Sequence, residues 1–160
     1  MARSHFIKPT APTEVSITAR LGATGAANNL SDLDEGKIVK LSGESAYSLA
    51  VLGDEIEGVI TSVESATQNG FSIGGVTVDF DLMHVVFDGL QGTPSAGNVS
   101  IGDYVVAGAI TAKGTVLGSF PKVCKATAAG TALNHKFRVV SLGTAGTGAP
   151  TTQGVIMRVG

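Results

Sequence analysis

Asp79, Asp81, His84 and Asp88 are the best candidate for a metal site in this 160-residue sequence. Residues at i and i+2 of an extended strand share a face, and paired carboxylate oxygens suit Ca²⁺ or Mg²⁺. His84 lies an odd number of residues from Asp79 and Asp81, so it points to the other face unless the strand breaks. The spacing assigns no metal and leaves open whether Asp79 and Asp81 hold a cation. Asp32, Asp34 and Glu35 begin like a calcium loop, but that loop needs a Glu at its twelfth position, where this chain has Gly43. These acids read as caps of a turn. Gly143-Thr144-Ala145-Gly146-Thr147-Gly148 resembles a phosphate loop in composition only. A phosphate loop continues with Gly-Lys-Ser/Thr and a helix, and Pro150, Thr151 and Thr152 follow instead.

The remaining reactive side chains are scattered. His5, His84 and His135 have no ligand spacing. Cys124 has Lys122 and Lys125 beside it, which would favour a thiolate, but no histidine accompanies it in sequence. Its place among Val123 and Ala126 on an alternating stretch reads as a buried, inert thiol. No acid/base pair of the kind general catalysis requires can be named. The sequence therefore predicts no catalytic residue and no cofactor, and the chain is expected to work through its surface rather than as an enzyme.

Composition sets the frame for that surface. The chain has 22 Gly, 15% charged residues, 43% hydrophobic residues, 5% aromatics and no Trp. Glycine reaches backbone angles that other residues avoid and marks tight turns. Short apolar runs punctuated by Gly predict an all-β fold, a small barrel or sandwich of short antiparallel strands. A chain of this length buries roughly two-thirds of its unfolded surface, enough for a core without staples. The formal net charge is −2, and the basic residues are dispersed. The one local excess is Lys122, Lys125, Lys136 and Arg138. Nucleic-acid affinity rests on clustered cations, so no direct nucleic-acid partner is expected. With one Cys, no internal disulfide is available. Met1-Ala2-Arg3-Ser4-His5 leads into no apolar signal segment, and no apolar run approaches the roughly 20 residues that span a bilayer. The expectation is no membrane partner and synthesis in a reducing cytoplasm.

Residues 1–13 read as an N-terminal arm and 14–160 as a single β-rich domain. Pro9 and Pro12 disfavour helix and leave an extended strap, with Phe6 and Ile7 as its apolar point. Phe6, Ile7, Pro9 and Pro12 are the candidate contacts to a neighbouring subunit; a tail folded onto its own barrel is the alternative. Strands are predicted over 14–20, 37–41, 46–52, 55–63, 71–73, 76–82, 103–107, 109–113, 115–117, 121–126, 136–142 and 154–159. Turns are predicted at Ser42-Gly43, Gly53-Asp54, Asn69-Gly70 and Gly74-Gly75, with a bulge at Gly58. In 76–82, Val76, Val78, Phe80 and Leu82 should point inward and Thr77, Asp79 and Asp81 outward. Met83 to Phe87 extends that run or bends away from it, and 89–98 and 143–153 read as loops.

Two stretches echo each other, about 33–63 and 99–142. Gly36 aligns with Gly102, and Ile38-Val39 with Tyr104-Val105, each followed by a hairpin and an apolar strand. Two such units could pack face to face and close one barrel. The phrase Gly102-Asp103-Tyr104-Val105-Val106, with Gly36-Lys37-Ile38-Val39 and Gly58-Val59-Ile60 in the first half, resembles the capsid decoration (cement) proteins of tailed bacteriophages. The first half departs from the phrase at Lys37, and 67–98 is longer than the corresponding region of the smallest members, so no residue role is transferred. The resemblance implies a structural virion protein on the outer capsid surface. It would bind the major capsid protein and reinforce contacts between its subunits, as a homotrimer or, second, a dimer. Open strand edges, which invite pairing, would be covered in a ring of three. A small β-barrel module for glycan or peptide, and another phage structural subunit such as a tail-tube protein, are the alternatives.

Overall fold

Residues that are β-branched and alternate with polar ones fit a pleated, half-buried surface, and ten stretches of this kind form strands. The computed structural model describes residues 15–22, 29–65, 67, 70–88, 98–109, 111–118, 120–126 and 133–159. Within them β1 is Val15–Leu21, β2 Ile38–Gly43, β3 Ala46–Leu49, β4 Gly58–Glu64 and β5 Ile73–Asp79. Then follow β6 Leu82–Phe87, β7 Tyr104–Ala107, β8 Lys122–Lys125, β9 Phe137–Ser141 and β10 Gln153–Arg158. A 3-10 turn at Asp32–Asp34 is the helical element among the described residues. The fold is all-β.

The strands close two barrels, in the orders β1-β3-β2-β4-β5 and β6-β8-β7-β9-β10. Each barrel has one parallel pair, β1 with β3 and β6 with β8, and its other pairs are antiparallel. The two therefore share one topology, strand for strand. The registers match as well. Gly36 N–H donates to Ile60 O, and Gly102 N–H to Val139 O, both at 2.8 Å. Each barrel has a register shift at the same place, with Thr61 extra in β4 and Val140 extra in β9. The repeating unit is thus five strands.

Closure explains a pair of glycines. Gly74 pairs with Ala19 and Gly154 with Val85, which are equivalent positions. A Cβ on Gly74 would lie 2.0 Å from Ser62 O and 2.7 Å from Leu21 Cδ1. A Cβ on Gly154 would lie 2.4 Å from Phe87 Cζ and 2.5 Å from Ser141 O. In both barrels the last strand passes so close to the bulged strand that a side chain has no room.

The barrels are packed as one body. Val39, Ile60, Val76, Leu21 and Tyr47 fill barrel 1. Ile38, Ala50, Ile56 and Val59 leave barrel 1 and join Phe80, Met83, Val85, Phe87, Val105, Phe137 and Ile156 in a second cluster. Phe80 sits between β5 and β6, with its ring 5.2 Å from that of Phe137. The packing is asymmetric. The outward pair Ile38 and Val59 of barrel 1 is buried under barrel 2. Its equivalent in barrel 2, Tyr104 and Arg138, stands on the outside, with the guanidinium 5.2 Å from the ring centre.

Several local expectations are corrected. The turn expected at Ser42-Gly43 falls at Glu44-Ser45, where Ser45 takes φ 52°, and Gly43 ends β2. Gly58 is no bulge; it opens β4, where a Cβ would meet Val76 Cγ1 at 2.6 Å. Gly74-Gly75 lies inside β5 rather than in a turn, because closure needs a bare backbone there. The chain breaks at Phe80-Asp81 to pass between barrels, which resets the alternation so that Met83, not Leu82, is buried. Thr77 is buried rather than outward, with its hydroxyl 2.9 Å from that of Ser16. The described parts of 109–113 and 115–117 form bends and turns, not strands. The return strand β3 stops at Leu49. Gly70 takes the positive φ expected of it, 72°, while Asn69, the loop 89–97 and the arm lie outside the described residues. Both sheets close, but β1 meets β3 only at Arg20 and Leu21 and β6 meets β8 only at Val86 and Phe87, so 15–19 and 82–85 are paired on one side only.

Gly74→Ala and Gly154→Ala should each cost about 2–4 kcal/mol by forcing backbone shifts. Gly118, whose added Cβ would meet nothing within 4 Å, should tolerate Ala within about 0.5 kcal/mol. Urea unfolding of the three variants checks this, and equal losses at all three positions would contradict the closure argument.

Candidate functional site

The most heavily built polar feature lies where barrel 1 meets the loop after β7. Asp34, fully buried, accepts Ser31 N–H at 2.9 Å and Gly114 N–H at 2.7 Å. Lys37 Nζ donates to Asp34 Oδ1 at 2.6 Å and to Ala112 O at 2.7 Å. Burial opposes the charge on Asp34, but the Lys37 ammonium and the two backbone donors outweigh it and hold the carboxyl below its ordinary value of 3.8. The acids expected to cap a turn do so through Asp34. The pair is structural: it ties residues 112–114 of the second half to the first.

Other polar contacts also hold the halves together. The Glu55 carboxylate accepts His135 N–H at 2.9 Å and Asn134 N–H at 3.1 Å. Gly53 N–H donates to Ala107 O at 2.9 Å, and Ala107 N–H to Asp54 O at 2.8 Å. Asp54 also accepts Lys40 Nζ at 2.8 Å.

Beside these ties runs an open groove of about 400 Å³ lined by Val15, Leu41, Tyr47, Val78, Glu57, Asp79, His135 and Arg158. β1, β2, β3 and β5 supply its apolar wall. Arg158 at the end of β10 pairs with Asp79 at the end of β5. Glu57 accepts Leu41 N–H at 2.6 Å. Burial, and then the Glu57 charge, raise the Tyr47 phenol above its ordinary value. Leu41 is 54% and Val15 49% exposed on the rim. Such a mixture can seat an apolar segment and orient it by a charge; it arranges no nucleophile against a base.

The side chains singled out in sequence are not brought together. Asp79 pairs with Arg158, Asp88 Oδ2 accepts Ala109 N–H at 2.6 Å, and His84 stacks on Phe120 with ring centres 5.2 Å apart. Among the described residues no three His, Cys, Asp or Glu gather as a metal site. Gly146 N–H donates to Gly143 O at 3.2 Å in a turn, and Gly148 O accepts Val99 N–H at 2.9 Å. Of the local basic excess, Lys125 pairs with Asp103 at 3.0 Å, and Arg138 Nε donates to Gly102 O at 2.8 Å. Cys124 is buried with its Sγ 3.4 Å from Ala107 O. Burial, and then the Asp88 charge, push its thiol up to about 11. Phe6, Ile7, Pro9 and Pro12 lie outside the described residues. The groove was missed in sequence because its lining comes from both ends of the chain. No helix among the described residues is long and apolar enough to cross a membrane.

No family model, curated protein or solved structure matches the chain. The described residues define an all-β double barrel with an open groove on its surface.

Lys37→Met should cost about 3–5 kcal/mol, because it strands the Asp34 charge. Adding Asp34→Asn should recover part of that loss in a double-mutant cycle. The Asp34 contribution is present above pH 3.8 and is lost as pH falls through its lowered value. Acid unfolding should therefore show a limb below that pH which Asp34→Asn removes. Cys124 should react with a thiol reagent at pH 8 at least about 100-fold more slowly in the native protein than in urea.

Proposed function

We propose that this protein is a structural virion component that binds the outer surface of an assembled tailed-phage capsid and reinforces contacts between major capsid subunits. The observation that carries the reading is the number of large apolar side chains standing in solvent on a rigid frame. Ile101 is 66% exposed, and Val51 and Leu52 are exposed together on one turn. Val15 and Leu41 line the groove between the barrels. Exposed apolar surface on a folded protein marks sites of association. The resemblance of Gly102-Asp103-Tyr104-Val105-Val106 to decoration proteins supplies the partner, the major capsid protein, and the homotrimer, with a dimer second. Closure of the barrels shortens the open edges that a trimer would cover, so the oligomer rests chiefly on that resemblance. In this reading Phe6, Ile7, Pro9 and Pro12 are contacts to the shell or to a neighbouring subunit.

Mixing the purified protein with empty expanded shells of its cognate phage and imaging them by electron cryomicroscopy should show added density on the outer surface. Removing residues 1–12 should leave the β circular dichroism unchanged and weaken attachment at least about ten-fold, or 1.4 kcal/mol. Bare shells at saturating protein would overturn the capsid reading. Undiminished attachment of the truncated protein would overturn the role of the arm.

A further inference from the structure

We infer that Arg20 anchors a binding site for a carboxylate at the end of β1, on barrel 1. Its backbone N–H donates to Ser45 O at 3.0 Å, and its guanidinium lies over the Phe71 ring, 3.8 Å from the centroid. Stacking fixes the plane of the guanidinium but does not use the N–H groups that lie in that plane. Nε and Nη2 are buried and have no hydrogen-bond partner among the described residues. That edge carries the two parallel N–H bonds that grip a carboxylate side-on. Buried donors without acceptors are costly and rare in folded proteins, and each calls for an explanation such as a bound ion.

No described residue supplies the missing acceptor. No described Asp or Glu pairs with Arg20. Glu14 is the one acid outside the described residues. Nor does the barrel need a cation here. Arg20 and Leu21 pair with Ala46 and Tyr47 of the parallel strand β3, as Val86 and Phe87 pair with Lys122 and Val123 of β8. Val86 is thus the counterpart of Arg20, and its N–H donates to Pro121 O at 3.0 Å as that of Arg20 donates to Ser45 O. One barrel folds with valine at this position; the other keeps a guanidinium with its fork unfilled. A carboxylate is the ligand class that matches a charged, bidentate, side-on donor. It can come from a small organic acid or from an Asp or Glu of a second copy of this chain.

The test follows the Arg20 Nε–H resonance of the full chain by ¹⁵N NMR, assigned by its loss in Arg20→Lys. Acetate, compared with chloride at equal ionic strength, should shift it saturably if a free carboxylate binds. A shift that instead tracks protein concentration and self-association identifies the second copy as the source. Acetate should also raise the wild-type melting temperature by a few degrees, and Arg20→Lys, which keeps the charge without the fork, should respond at least ten-fold more weakly. A resonance indifferent to both acetate and protein concentration would overturn the site. So would an Arg20→Met variant that keeps the full thermal response to acetate.

Discussion

A barrel of five short strands has almost no interior to spare, and the way each barrel closes limits everything else in this molecule. The first and fifth strands of each unit must pair while the fourth carries an extra residue. The backbones then approach so closely that position 74, and its counterpart 154, exclude even a methyl group. This crowding sets the size of what can fill the inside. Barrel 1 takes Leu21 where barrel 2 takes Phe87, and Gly58 stands in barrel 1 where barrel 2 has Phe137. The narrower filling of barrel 1 accords with Gly58, where any Cβ would strike Val76.

Repetition of the topology does not extend to the surfaces. The pair Ile38 and Val59 is apolar because barrel 2 covers it, and the equivalent Tyr104 and Arg138 are polar and stand outside the described core. The two units therefore meet through different faces, unlike the subunits of a two-fold dimer, where one patch serves both sides. Polar ties reinforce that choice. Asp34 and Lys37 reach residues 112 and 114, and Glu55 holds the N–H groups of 134 and 135. A buried ion pair is a weak source of net stability. Here its geometric effect is plain, because it fixes one loop of the second unit against the first.

The sequence carried the strand positions of β1, β2, β7, β8, β9 and β10, because alternation and glycine punctuation are local signals. It also carried Gly36 against Gly102, since both precede an apolar run at the same distance. It hid the glycines of closure. Gly74-Gly75 looks like a turn in one dimension, and only the approach of Ser62 and Leu21 shows why a strand would contain it. The break at Phe80-Asp81 was hidden too, because the apolar alternation runs on through it while the chain changes barrels. Stretches 109–113 and 115–117 have strand-like composition, yet Ala112 O and Gly114 N–H are taken by Lys37 and Asp34 rather than by a ladder. Tertiary hydrogen bonds won over local preference there. The groove was illegible for a related reason: Val15 and Arg158 lie at opposite ends of the chain and meet only after both barrels close.

Two units with one topology offer an internal control that a single barrel lacks. Where both carry the same residue type for the same contact, as at 74 and 154 or at 36 and 102, the fold itself explains the residue. Where they differ and both sides are satisfied, as at Leu21 and Phe87, packing explains it. Arg20 against Val86 falls in neither class, because the valine is satisfied and the guanidinium is not. That difference carries the inference of a carboxylate site. The same comparison sorts the exposed apolar residues: Leu41, Val51, Leu52 and Ile101 lie on strand ends and turns where closure imposes no constraint. They are free to serve the proposed contacts, while the glycines belong to how the double barrel closes.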